Sequence, residues 1–147
     1  IIDRRERLEG YRQALAEYGI TPDKNWVISV PFNEEGGERA AHQLLNCGIP
    51  FTAAVTFNDV MAAGIMRILH QQGITLPQQL SIVGFDDVVM ARYLYPALTT
   101  MHYPVERMAR CASQLAIQLF KGATQRPSVN SFTAELVIRD SVLPPSL

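Results

Sequence analysis

Apolar side chains at Leu8, Tyr11, Leu15 and Tyr18 recur at helical spacing, so residues 4–18 are predicted to form an amphipathic helix. Asp3 with Glu6 three positions on reads as a capping box, and Gly19 as a stop. Trp26–Val30 is a short apolar run closed by Pro31, the pattern of a buried strand. A second helix follows, capped by Asn33, with Glu34 and Glu35 in its first turn and Ala40, Ala41, Leu44 and Leu45 on its buried face; Gly48 ends it. Residues 53–57 form a second predicted strand, and Asn58-Asp59 lead into a helix carrying Met61, Ile65, Ile68 and Leu69. Gly73-Ile74 has the form of a Schellman ending. A third strand is expected over Ser81–Phe85, then a short segment at 98–102. Pro104 opens a helix whose wide apolar face holds Val105, Met108, Ala109, Ala112, Leu115, Ala116 and Leu119. After a loop through Pro127, residues 135–139 form the last strand.

Strands that alternate with helices and are apolar on both faces imply an α/β fold, a parallel sheet with helices on both faces. In such sheets ligands bind beyond the carboxyl ends of the strands. Three predicted strands deliver a polar or aromatic residue there: Phe32, Asn58-Asp59 and Asp86-Asp87. Amides and carboxylates engage vicinal hydroxyls in pairs, and a ring covers a C–H face of a sugar, so a polyhydroxylated ligand suits this rim. Plainer roles compete. Asn58 is also a good helix cap, Asp59 and Asp87 suit caps or turns, and Phe32 suits a loop ring folded onto the protein.

Charge narrows the picture further. Thirteen basic and fourteen acidic residues leave a net charge of −1 over 147 residues, without the basic stripe that draws a protein to nucleic acid. Cys47 and Cys111 stand outside any CxxC or zinc-finger spacing and are expected as small buried hydrophobes. Their number fits a reducing compartment. His42, His70 and His102 are scattered, with packing or solvent-facing roles expected rather than metal binding. Dinucleotide, phosphate-loop, nucleophile-elbow and zinc-protease motifs are missing, so neither an enzyme nor a cofactor is expected. Gly36-Gly37, inside a helical pattern, reads as close packing. No apolar run reaches membrane-spanning length.

Five blocks, in order, carry a family resemblance: Arg7-Leu-Glu-Gly-Tyr; residues 51–66 with Asn58-Asp59; Gly73 to Asp87 through Ser81-Ile-Val-Gly-Phe-Asp-Asp; Pro96-Ala-Leu-Thr-Thr; and Leu136-Val-Ile-Arg-Asp-Ser. Together they resemble the sensing domain of lactose/galactose-type (LacI/GalR) transcriptional repressors. Asp87 to Tyr93, His102-Tyr-Pro and Met108-Ala are most similar to the galactose branch. The resemblance implies a type I periplasmic-binding-protein-like lobe, incomplete, from the carboxyl-terminal half of a two-lobed sensor. Residues 1–103 and 132–147 would belong to one lobe, and 104–131 to the other. Arg7, Asn58 and Asp86 would bind a galactose-like effector, with Phe32 and Tyr103 lining the cleft. Ala63, Met66, Val88, Val89, Arg92 and Tyr93 would face a second copy. The same resemblance implies a cytoplasmic homodimer that reaches operator DNA only through a headpiece outside this chain. A periplasmic sugar-binding protein of a transporter is the alternative. Because half the cleft is missing, weak ligand binding and self-association through the 104–121 helix are expected.

Overall fold

The computed structural model describes residues 2–122 and 131–145, with side chains from residue 5 onward. Among the described residues there are four helices, α1 (Ile2–Glu17), α2 (Glu34–Asn46), α3 (Asp59–Gln71) and α4 (Val105–Phe120), and four strands, β1 (Ala53–Val55), β2 (Ser81–Asp86), β3 (Thr99–His102) and β4 (Glu135–Val137). The sheet order is β1-β2-β3-β4. β1, β2 and β3 run parallel, with Val55 beside Val83 and Asp86 beside His102, while β4 is antiparallel to β3. An antiparallel edge on a parallel sheet departs from the all-parallel expectation and brings the last segment back along the strands it must hold.

Local chemistry explains the helix limits. Asn33 and Asn58 are extended, and each side chain accepts from the amide three residues on, Gly36 and Met61. At the end of α1, Ile20 N–H donates to Leu15 and Gly19 N–H to Ala16, with Gly19 at φ +71. The same pair of bonds at Gly73 and Ile74 closes α3 in the expected Schellman form. α1 is already helical at Ile2, ahead of the expected Asp3 cap, whose side chain lies outside the described residues. So does the loop around Pro127.

α3 lies on β2, and α2 packs on α3. The Gly36-Gly37 pair allows this: a Cβ at Gly37 would overlap the Met61 carbonyl, and one at Gly64 the Glu34 carbonyl. Ala40, Ala41, Ala62, Ile65, Met66, Ile68 and Leu69 from the two helices meet Leu80, Ile82 and Leu98 from the sheet side in one core. Each fully buried Leu or Ile contributes roughly 1.5–3 kcal/mol. α1 and α4 contribute no buried residue among those described. Val55 and Leu136 are exposed.

The predicted strand at 26–30 is absent. Lys24–Trp26 form a 3-10 turn, and residues 27–30 carry no ladder, although Ile28 and Val30 pack against the core. Apolar patterning predicts extension and burial; a strand also needs a neighbour with free backbone groups, and β1 is only three residues long. Cys47 is exposed and Cys111 half-buried, not core residues. Cys47 caps the end of α2, where its thiol donates to the Leu44 carbonyl at 3.0 Å.

Candidate functional site

The carboxyl ends of β1 and β2 and the start of α3 converge with α1 on a small aromatic platform. Phe57 follows β1, and its ring stacks on Phe32 with centroids 4.3 Å apart and planes 24° apart. Phe85, on β2, packs against Tyr103 at 5.0 Å. The guanidinium of Arg7 links the two pairs, 3.6 Å from the centroid of Phe85 and 4.4 Å from that of Phe57. It also donates to the Phe57 carbonyl at 2.5 Å. A cation held over two rings keeps donors in place at a half-buried position, each contact contributing about 0.5–2 kcal/mol.

Asn58 serves two structural neighbours at once. Its Oδ1 accepts from Met61 N–H at 2.9 Å, and its Nδ2 donates to the Phe32 carbonyl at 3.3 Å. Phe32 therefore reaches the rim although the strand expected to carry it is missing. Asp86 ends β2 beside His102, half-buried, with φ at +111; Asp87 follows at φ +52. Left-handed backbone at a non-glycine residue costs on the order of 1–3 kcal/mol and persists where surroundings impose it. Arg7, Asn58, Asp86, Phe32 and Tyr103 thus gather at one edge of the sheet. The residues proposed to face another copy divide: Val89, Arg92 and Tyr93 are exposed, Val88 and Ala63 half-buried. Met66, instead, is 4% exposed within this chain's own core.

Behind the rim lies a polar layer that sequence reasoning missed. Asp59 is fully buried. Its carboxylate accepts from Thr100 Oγ1 at 2.5 Å and from Val88 N–H at 2.9 Å. Burial pushes its carboxyl above the ordinary value, against those hydrogen bonds; the Asp87 charge adds to the rise. Asp87 accepts from Arg139 at 2.5 Å and pairs with His102 Nδ1 at 3.1 Å. Burial opposes its ionisation, yet Arg139 and His102 together hold the carboxyl below its ordinary value. Asp59 and Asp87 are thus interior partners rather than the cap and turn residues expected. The only sequence signal was two Asp-containing pairs at strand ends; their partners are 15 to 52 positions away. Among the described residues no three His, Cys, Asp or Glu side chains cluster as a metal site.

Rings, a guanidinium, an amide and a carboxylate along the carboxyl edge of a mostly parallel sheet define a lobe of the type I periplasmic-binding-protein architecture. The chain belongs to the periplasmic binding protein-like domain family, whose model matches residues 3–142, in the form found in LacI/GalR-type regulators. It is 44% identical over 147 residues to the HTH-type transcriptional regulator GalR of Escherichia coli (strain K12), covering 100% of this chain and 43% of that protein. Among solved structures it resembles a sugar-binding LacI-family transcriptional regulator from Escherichia coli complexed with phosphate, at 36% identity and TM-score 0.85, over 95% of this chain and 50% of that one. It also resembles the transcriptional regulator CelR in complex with cellobiose, at 30% identity and TM-score 0.87, over 93% of this chain and 42% of that one. The chain therefore spans less than half the length of the GalR relative.

Proposed function

We propose that this chain senses a sugar, of the galactose kind, for a LacI/GalR-type transcriptional repressor. The convergence of Arg7, Asn58 and Asp86 around the Phe32–Phe57 and Phe85–Tyr103 pairs carries this reading. Arg7 offers donors, Asp86 acceptors and Asn58 both, while the rings offer an apolar surface to the C–H face of a pyranose. Residues 1–103 with 132–147 form the carboxyl-terminal lobe, and 104–131 belong with the opposite lobe. Sugar held between two lobes favours their closed arrangement. Closure changes how the 88–93 segments of two copies meet, and with it the spacing of DNA-binding headpieces that lie outside this chain. Coupling of this kind is worth roughly 1–3 kcal/mol. The protein acts in the cytoplasm and catalyses no reaction.

The test is calorimetric titration of the full-length protein with D-galactose, with D-glucose as comparison. Asp86→Ala removes a charge-assisted acceptor and is expected to weaken D-galactose binding about 10- to 100-fold. Unchanged affinity in that variant overturns the assignment.

A further inference from the structure

Two consecutive non-glycine residues, Asp86 and Asp87, hold positive φ at the rim. The strand before them and the segment after them both meet one buried side chain. Val88, after the pair, donates its backbone N–H to the buried carboxylate of Asp59. Thr100 Oγ1, from the adjacent β3, donates to the same carboxylate and fixes its rotamer. Gly84 leaves the necessary room: a Cβ there would overlap Asp59 Oδ1 and come within 2.7 Å of Leu98 Cδ2. Asp59 is also the first residue of α3, directly after the rim residue Asn58. Val88, in turn, precedes the 3-10 turn Val89–Arg92, where Val89 is 70% exposed.

We propose that Asp59 is the positioning residue of the rim. By accepting from Val88 after the strained pair and filling the space beside Gly84 before it, the carboxylate imposes the backbone turn that sets how Asp86 leaves the strand, and it joins that turn mechanically to the exposed segment at 88–92. The carboxylate acts from behind the site: displacement of Asp86 by a ligand strains the bond to Val88, and movement of the 88–92 segment strains it from the other side. The part of this proposal that concerns ligand rests on the sugar-sensing reading; the part that concerns the backbone does not.

Two measurements on the full-length protein separate these. The first is amide hydrogen exchange without ligand, comparing Asp59→Asn with Ile68→Val, a core change elsewhere in α3. Protection at Val88 is expected to fall about tenfold in Asp59→Asn and to stay within twofold in Ile68→Val. Unchanged protection at that amide overturns the proposal. Thr100→Val, which removes one donor and adds no polar group, is the second variant should Asp59→Asn not fold. It is expected to lower protection of the same amide by a smaller factor, and no change again overturns the proposal. The second measurement is a double-mutant cycle with D-galactose. Asp59→Asn is expected to weaken binding about tenfold in the wild-type background but less than twofold in Asp86→Ala, as for a residue that acts through Asp86. Equal losses in both backgrounds overturn positioning through Asp86. If Asp86→Ala alone leaves binding intact, the sugar reading fails, and exchange at Val88 still decides the role of Asp59.

Discussion

Asp87 and Arg139 are 52 positions apart in the chain and meet with side chains 7% and 14% exposed. Arg139 also donates to the Leu98 carbonyl, and its own N–H donates to Thr99 Oγ1. One guanidinium thus ties the end of β2 and the start of β3 to the segment after β4. Arg139→Met leaves a nearly buried carboxylate without its main partner and is expected to destabilise the fold by about 3 kcal/mol, read by urea denaturation. The same pair sets a pH dependence. Because the folded carboxyl of Asp87 is held below its ordinary value of 3.8, its stabilisation is full above that value. It is lost as pH falls through the lower folded value. Asp59 has the opposite sign: its folded carboxyl is raised, so the stability it gains in acid is lost as pH rises through that raised value. Stability of Arg139→Met should therefore fall less between pH 5 and pH 3 than that of the wild type, and stability of Asp59→Asn should fall more (roughly the range over which carboxylates titrate). A wild-type slope in both variants would remove these two carboxylates from the acid response. Of the residues themselves, the places of Asn58 and Asp86 were legible because each stands at a helix start or strand end that the pattern already marks, whereas Arg7, inside α1, was singled out only by the Arg7-Leu-Glu-Gly-Tyr block that carries the family resemblance. The roles of Asp59 and Asp87 were not, since short-range spacing gives Asp at such places a cap or a turn.

At the scale of elements, α2 and α3 approach through glycines and not through interlocking large side chains. Gly64→Ala places a methyl against the Glu34 carbonyl, and the helices must separate. A loss of about 1–3 kcal/mol is expected, checked by thermal unfolding. Ser141 does for the sheet what these glycines do for the helices. Its buried hydroxyl donates to the Ile82 carbonyl at 2.6 Å and accepts from Thr99 N–H at 2.8 Å. Ser141→Ala strands a buried amide and is expected to cost about 1–3 kcal/mol in the same measurement. The four helices were legible to within a few residues, because a helix satisfies its backbone locally and marks its ends with Asn caps and Gly stops. The strand expected at 26–30 and the antiparallel direction of β4 were not, because ladders are completed by distant partners.

Across the whole molecule, apolar surface is unevenly covered. α4 buries no residue, and Val105, Ile117, Leu119 and Phe120 are 61%, 53%, 56% and 93% exposed. A helix with a wide apolar face in water associates with whatever can cover it. The 147-residue chain by itself is therefore expected to self-associate in light scattering, with the association reduced by Ile117→Lys. A monodisperse monomer at high micromolar concentration would contradict this. The order of helices and strands, the apolar faces and the placing of Asn58 and Asp86 at strand ends were determined by the sequence alone, because each follows from periodicity and from residues adjacent in the chain. Which strands pair and in which direction was decided only by tertiary structure. So were the joining of two ring pairs by Arg7 and the placement of a buried carboxylate behind the rim. Those features are energies of contact between segments tens of residues apart, and no local pattern contains them.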